Sequence, residues 1–195
     1  GASLALDDGP HPPALRALDG NVIHIGTFSK QLIPALRIGY VLCPAPVRQH
    51  LISLKHAVDL GTSALLQHGL AEFLDRGYMR AHVRHVCDEY RARRDALEGQ
   101  LAASLPRHFR WRSPRTGVLV WLPLPAGHRA APIVEEARRR GVVVATGAQF
   151  AAGVAPEEGL RLTFCSEPPE RLVEGARRLG AAVAAVAPRR ASPSA

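Results

Sequence analysis

The chain has 195 residues, enough to bury a hydrophobic core in one or two domains, and its 47% hydrophobic and 22% charged residues are typical of a soluble globular protein. No apolar run approaches the roughly 20 residues that a membrane-spanning helix needs, so no membrane partner is expected. The formal net charge is +8, but the arginines are spread over many predicted helices and loops without interleaved aromatic residues, so direct nucleic-acid binding by this segment is not expected.

The first part of the chain predicts two short strands. Residues 1–20 contain closely spaced prolines and are expected to be irregular. Two β-rich runs follow, NVIHIGTF at residues 21–28 and RIGYVLCP at residues 37–44, and each is typical of a buried strand. The segment SKQLIPAL between them is therefore expected to be a tight strand-to-strand connection.

Three helices are predicted next. Residues 46–60 and 63–76 favour helices, and Gly77 breaks the second. A long amphipathic helix follows, because apolar residues recur at helical spacing on one face until Pro106. That face consists of Met79, Val83, Val86, Tyr90, Leu97, Leu101 and Leu105.

The remaining chain alternates strands and helices. The strand candidates are FRWR (109–112), GVLVWLPL (117–124), VVVA (142–145) and LRLTF (160–164). Helices are predicted over residues 131–141 and 168–186. The inward face of the second is expected to hold Leu172, Val173, Ala176, Leu179 and Val183.

This order of elements predicts an α/β protein in three parts. Residues 1–76 hold two strands followed by two helices, and residues 77–186 hold a long connecting helix and a separate α+β module, with the boundary near Gly77. Residues 187–195 are expected to be a disordered tail, because the segment is short, terminal and rich in Pro, Ser and Arg.

Lys30 is the first candidate for chemistry. It is one of only two lysines, whereas 23 basic residues are arginine, which does not give up its proton in proteins. A lysine at the end of a strand can attack a carbonyl to form a Schiff base, and the hydroxyls of Thr27 and Ser29 with Arg37 suit a phosphate ester. Together these residues outline a pyridoxal phosphate pocket. A lone lysine in such a loop is more often a solvated surface residue, so the motif alone leaves both interpretations open.

The wider sequence strengthens the first interpretation. GTFSKQLIPALRIGYVLCP resembles the Schiff-base segment of the fold-type I pyridoxal-phosphate enzymes, the class I/II aminotransferases. The seven-residue gap from Lys30 to Arg37, together with the preceding PPALRALDGNVIHI, looks most like the aminotransferase-like domain of MocR/GntR-type transcriptional regulators. RRRGVVVATGAQFA and LRLTFCSEP resemble the small domain of the same family.

The resemblance implies a role for each matching residue. Lys30 would form the aldimine with pyridoxal 5′-phosphate and move a proton during amino transfer between an amino acid and a 2-oxo acid. Thr27, Ser29 and Arg37 would bind the cofactor, and Arg161 would bind the α-carboxylate of the substrate. Residues 1–76 would then be the C-terminal part of the cofactor-binding large domain, whose sheet is mostly parallel, and residues 77–186 would be the bridging helix and the small C-terminal domain. The family's shared sites imply a homodimer.

The chain also departs from the family pattern. Thr146 stands where the family usually has proline, and Asp7 and Asp8 do not match the motif whose aspartate binds the pyridine nitrogen. That motif and the tyrosine beside it precede the matching region in the family. We therefore expect the chain to correspond to the C-terminal half of an aminotransferase domain.

Three functions remain open from the sequence. The first is a pyridoxal-phosphate-dependent aminotransferase. The second is the effector domain of a MocR/GntR-type regulator, which would sense cofactor and an amine effector without turnover and reach DNA only through a separate N-terminal domain. The third is an inactive gene fragment. The amino donor, the acceptor and any operator are not encoded in a recognisable motif.

The other candidates for chemistry are weaker. His82 and His85 are spaced to share one face of a helix near Cys87, but no third ligand is suggested, so no metal site is predicted. The three cysteines match no zinc or redox spacing and cannot all pair, so a reducing, cytoplasmic location is expected.

Overall fold

The computed structural model describes residues 4–153 and 158–186 of the chain. Within them the chain divides into two compact units. The N-terminal unit holds residues 4 and 8–86, and the C-terminal unit holds residues 5–7, 87–153 and 158–186. The predicted ranges, 1–76 and 77–186, refer to the two domains of the larger fold that the resemblance implies, and they stay a prediction. The predicted disordered tail at 187–195 lies outside the described residues.

The N-terminal unit is built around one pair of strands. Its elements begin with α1 (Leu15–Leu18), β1 (His24–Thr27), a short 3-10 helix (Pro34–Leu36) and β2 (Gly39–Leu42). The strands pair antiparallel, with His24 opposite Leu42 and Thr27 opposite Gly39. The tight connection between them is confirmed, and it reverses the chain, so this pair adds no parallel neighbours to the predicted sheet. The single turn α1 lies within a segment predicted to be irregular, where Ala17 N–H donates to the Ala14 carbonyl at 2.8 Å.

Helices follow the strand pair, as the sequence predicts. They are α2 (Ala45–Asp59), α3 (Ala64–Asp75) and α4 (Tyr78–Ser104), and the part of α4 up to Val86 belongs to the N-terminal unit. Ser63 caps α3, since its hydroxyl oxygen accepts a bond from Leu66 N–H at 3.4 Å. No helix in the described part of the chain is long and apolar enough to span a membrane.

The C-terminal unit is a small sheet covered by helices. Its strands are β3 (Leu119–Pro123), β4 (Ala145–Thr146) and β5 (Gly159–Thr163), in the order β3-β5-β4 with antiparallel pairing throughout. The helices are α5 (Ala130–Arg139), α6 (Pro169–Val186) and the rest of α4, and a 3-10 helix spans Gly147–Phe150. One face of the sheet packs into the core, where Val120, Leu122, Leu160 and Leu162 are buried.

Three local predictions for this unit are wrong. Residues 109–112 are irregular rather than a strand, because Phe109 is buried in the core and Trp111 Nε1 donates to Glu98 Oε1 of α4 at 3.0 Å. Residues 142–144 are also irregular, and only the last residue of the predicted strand lies in β4. Val173 is 37% exposed, and the inward face of α6 instead includes Gly180 and Ala182.

The close packing of α6 gives a test of this fold. A Cβ on Gly180 would lie 2.5 Å from Ser104 Cβ and 2.9 Å from the Ser104 carbonyl oxygen, too close for the backbone to accept. We expect Gly180→Ala to lower the free energy of unfolding by about 1–3 kcal/mol, as overpacking does.

Gly175 supplies the matched control, since it lies in the same helix with nothing within 4 Å of its Cβ position. Gly175→Ala should raise the free energy of unfolding by about 0.5–1 kcal/mol through helix propensity. Urea unfolding of both variants measures the difference, and equal shifts would contradict the packing of α6 on the end of α4.

Candidate functional site

Lys30 lies in the turn that directly follows β1. β1 ends at Thr27, and Phe28 N–H donates to the Ile38 carbonyl at 3.1 Å, which closes the loop leading back to β2. Within the loop, Leu32 N–H donates to the Phe28 carbonyl at 2.8 Å. These bonds fix the backbone on both sides of Lys30 while its side chain is exposed.

Two hydroxyls lie together beside this lysine. Thr27 Oγ1 is 3.0 Å from Ser29 Oγ and accepts a hydrogen bond from Ser29 N–H at 3.1 Å. It also lies 3.4 Å from the Ile38 carbonyl oxygen. The side chain of Thr27 therefore shapes the turn and keeps both hydroxyls at the end of β1.

Arg37 has an unusual backbone conformation. It follows the 3-10 helix with φ 51° and ψ 31°, the left-handed region that costs a residue with a Cβ about 1–2 kcal/mol. Its guanidinium is exposed and donates only a long 3.4 Å bond from Nη1 to the Pro34 carbonyl. Backbone strain of this kind concentrates at functional sites, where it places a side chain in the position that binding or catalysis requires.

This strain leads to a prediction for Arg37. In the full-length protein without cofactor, Arg37→Gly is expected to be more stable than Arg37→Ala by about 1 kcal/mol, because only glycine removes the left-handed penalty. Both variants should bind phosphate-bearing cofactor about 10-fold to 100-fold more weakly, since each lost charge-assisted bond costs about 1.5–3 kcal/mol. Thermal unfolding and cofactor titration measure the two effects separately, and a stable, fully binding Arg37→Gly protein would exclude Arg37 from the site.

Aromatic side chains hold the two strands together next to the loop. The Tyr40 ring lies 5.9 Å from the His24 ring and 5.5 Å from the Phe28 ring, measured between centroids. It crosses Gly26 so closely that a Cβ there would lie 2.2 Å from Tyr40 Cζ. Glycine at position 26 therefore permits the ring cluster that supports the start of the Lys30 loop.

His82 contributes a contact that the sequence did not reveal. Its Nε2 lies 2.8 Å from the carbonyl oxygen of Gln31, the residue after Lys30. The pair is separated by 51 positions, so no local spacing could have indicated it. His82 thus supports the Lys30 loop from α4. Within residues 4–153 and 158–186, no group of three His, Cys, Asp or Glu side chains could hold a metal ion.

The residues around Lys30 fit the cofactor predicted from the sequence. Two hydroxyls and one guanidinium are donors suited to a phosphate, and an amine is suited to an aldehyde. Neither Lys30 nor Arg37 forms an ion pair with a carboxylate of the described chain, so both cations are free to meet an anionic ligand. The donor set therefore matches pyridoxal phosphate.

Arg161 belongs to the C-terminal unit. It lies at the centre of β5, opposite Trp121 of β3 and Ala145 of β4, on the sheet face away from the core. Its guanidinium carbon lies 4.0 Å from the centroid of the Phe150 ring. The residue is half-buried and borders an open groove of about 560 Å³. Other polar residues of that groove are Arg138, Gln149, Thr163, Ser166, Glu167 and Arg171.

Comparison with known proteins gives consistent matches. Residues 5–179 match the model for "Aminotransferase class I and II". Aromatic-amino-acid aminotransferase 1 of Thermococcus litoralis is 34% identical over 83% of this chain and 39% of its own length. The HTH-type transcriptional regulator YdfD of Bacillus subtilis is 30% identical over 95% of this chain and 38% of its own length.

The structural comparison agrees. The crystal structure of Pyrococcus horikoshii kynurenine aminotransferase in complex with PMP matches with a TM-score of 0.89 and 29% identity, over 95% of this chain and 46% of that one. The chain thus spans less than half the length of the proteins it matches. The predicted fold class, a partial fold-type I transferase, is confirmed. The predicted cofactor of this fold is confirmed as well, since the related solved structures contain PMP or a phosphopyridoxyl amino acid.

Proposed function

The chain belongs to the class I and II aminotransferase family, and we propose that the protein containing it transfers an amino group between an amino acid and a 2-oxo acid. The observation that carries this proposal is the donor set beside Lys30. The hydroxyls of Thr27 and Ser29 lie 3.0 Å apart just before Lys30 at the end of β1, and the strained Arg37 lies at the other end of the same loop, next to β2.

We infer that Thr27, Ser29 and Arg37 hold the cofactor phosphate and that Lys30 bonds to the cofactor aldehyde. Pyridoxal phosphate, when bound, supplies the carbonyl that accepts the amino group and the electron sink that stabilises negative charge at the substrate Cα. The hydroxyls and the guanidinium can donate several charge-assisted hydrogen bonds to the phosphate oxygens. That anchoring would fix the ring relative to Lys30.

Lys30 would also move the proton. Once released from the cofactor, Nζ is an amine that can accept the proton from the substrate Cα and return it elsewhere, which a guanidinium cannot do. The loop bonds of Phe28 and Leu32, with the His82 contact to Gln31, hold the lysine backbone in place. A fixed backbone with a mobile side chain suits a group that carries a proton between two positions.

Arg161 would bind the substrate α-carboxylate. Its planar fork can form two parallel hydrogen bonds to a carboxylate. Among the described residues, no hydrogen bond or ion pair occupies its N–H donors. A homodimer, which the resemblance implies, and a cytoplasmic location, which the cysteine pattern predicts, are part of the same proposal.

Transfer of labelled nitrogen tests the proposal. The full-length protein loaded with pyridoxal phosphate is incubated with a panel of ¹⁵N-labelled L-amino acids and 2-oxo acids, and new ¹⁵N-amino acids are measured by mass spectrometry. The expected result is steady transfer over many turnovers for at least one pair. Transfer limited to one equivalent per protein, or none, would overturn the enzyme proposal.

A second function has an observation in its favour. The similarity to YdfD over 95% of the chain supports the effector domain of a MocR/GntR-type regulator. In that case the same residues would bind cofactor and an amine without turnover, and this segment would not contact DNA itself. The labelled-nitrogen assay separates the two, because a regulator would bind an amine and release no product. A protein that binds neither cofactor nor amine would favour an inactive fragment.

A further inference from the structure

The guanidinium of Arg161 is oriented by one aromatic ring. It stacks on Phe150 with 4.0 Å between the guanidinium carbon and the ring centroid. Within the described residues, no hydrogen bond or ion pair holds the Arg161 guanidinium. A guanidinium that stacks on a ring keeps its N–H donors in its own plane, where they stay open to a ligand.

The backbone that carries Phe150 is itself well supported. Phe150 ends the 3-10 helix that begins at Gly147, and Gly147 is buried. The Trp121 ring packs over this start, since a Cβ on Gly147 would lie 2.5 Å from Trp121 Cη2 and one on Gly159 would lie 2.3 Å from Trp121 Cζ2. Because positions 147 and 159 are glycines, the Trp121 ring of β3 can pack closely against β5 and the 3-10 helix. This packing fixes the backbone that carries Phe150.

Phe150 contributes little to the hydrophobic core. It is 53% exposed and lies outside the buried cluster of the C-terminal unit. The Phe150 ring lies against a guanidinium that has no hydrogen bond or ion pair to the described residues, which points to a role exerted through that guanidinium.

We propose that Phe150 is a positioning residue that holds the Arg161 fork in the orientation needed to bind a carboxylate edge-on. This inference rests on the proposed function, in which Arg161 binds the α-carboxylate of an amino acid. Stacking restricts the rotation of a long side chain before the ligand arrives, so less conformational freedom is lost on binding. It also leaves the in-plane donors open for a bidentate pair.

The test is a double-mutant cycle on the full-length protein loaded with pyridoxal phosphate. The probes are the L-amino acids of the labelled-nitrogen panel and their α-carboxamides, and dissociation constants come from the change in cofactor absorbance. Phe150→Leu removes the ring, Phe150→Tyr keeps it, and Arg161→Lys keeps charge but removes the fork. Leu119→Ala is the matched control, because Leu119 is 41% exposed on β3 and lies outside the core cluster.

We expect Phe150→Leu to weaken binding of the best amino acid about three- to tenfold, in the range of a cation–π contact, without changing carboxamide binding. Phe150→Tyr and Leu119→Ala should stay close to wild type. In the Arg161→Lys background, Phe150→Leu should change the amino-acid affinity by less than about twofold, because interacting residues are not additive.

The outcomes separate the two claims. If Arg161→Lys leaves the preference for carboxylate over carboxamide unchanged, or wild type has no such preference, the proposed role of Arg161 fails and this inference fails with it. If Arg161→Lys weakens carboxylate binding but Phe150→Leu does not, or acts equally in both backgrounds, only the positioning role of Phe150 is overturned. Thermal unfolding of each variant checks that the fold is kept, and Phe150→Tyr tests the ring without removing it.

Discussion

Replacing Lys30 by alanine is expected to abolish covalent attachment of pyridoxal phosphate and reduce amino transfer below detection in the full-length protein. Lys30 is the one lysine in the loop with Thr27, Ser29 and Arg37, and neither alanine nor arginine can bond to an aldehyde or carry the proton. Because the phosphate donors remain, Lys30→Ala should still bind the cofactor, but reversibly. Borohydride reduction followed by peptide mass spectrometry locates the covalent label.

The chain provides its own control for this experiment. Lys55 is the only other lysine, and it forms an exposed ion pair with Asp59 in α2 at 2.7 Å. Lys55→Ala should keep full labelling and full turnover, since an exposed pair of this kind contributes about 0–1 kcal/mol to stability. A Lys30→Ala protein that is still labelled to the wild-type extent would exclude Lys30 as the attachment site.

The sequence predicts the part of the candidate site that depends on neighbouring residues. Thr27 and Ser29 are two positions apart at a strand end, and their hydroxyls do lie 3.0 Å apart. The alternation of GVLVWLPL likewise predicts β3, because a one-sided sheet buries every second residue. Such features follow from short-range geometry that any similar stretch would share.

Contacts between distant positions could not be predicted in this way. His82 and Gln31 lie 51 positions apart, and the stacking of Arg161 on Phe150 depends on how the 3-10 helix returns to β5. The strand predicted at residues 109–112 fails for the same reason. Its alternating aromatic pattern suits a strand, but Trp111 bonds to Glu98 of α4 instead of a neighbouring strand. Tertiary packing decides such segments, whatever their local preference.

Burial differs greatly between the two units. Nineteen buried residues form one core in the C-terminal unit, whereas the described N-terminal unit buries only the apolar residues Leu4, Ile38, Leu70 and Val83. α2 has no buried residue, and Ile25 of β1 is 77% exposed. An isolated two-stranded sheet is only marginally stable in water, so the N-terminal unit lacks the packing that would order it. The chain also spans less than half the length of its relatives, which leaves room for the surfaces that would cover these residues.

Hydrogen exchange of the 195-residue chain on its own should therefore divide at the boundary of the units. The hydrogen-bonded backbone amides of β3, β5 and α6 are expected to exchange only through global unfolding, at least about 1000-fold more slowly than those of β1, β2 and α2, which open locally. In the full-length protein the N-terminal amides should become protected as well. Since Lys30, Thr27, Ser29 and Arg37 all lie in the unprotected unit, the isolated chain should bind pyridoxal phosphate weakly and should not transaminate. Mass-spectrometric exchange resolves the two groups of peptides, and equal protection of both units in the isolated chain, or turnover that depends on Lys30, would show that the N-terminal unit is stable without further surfaces.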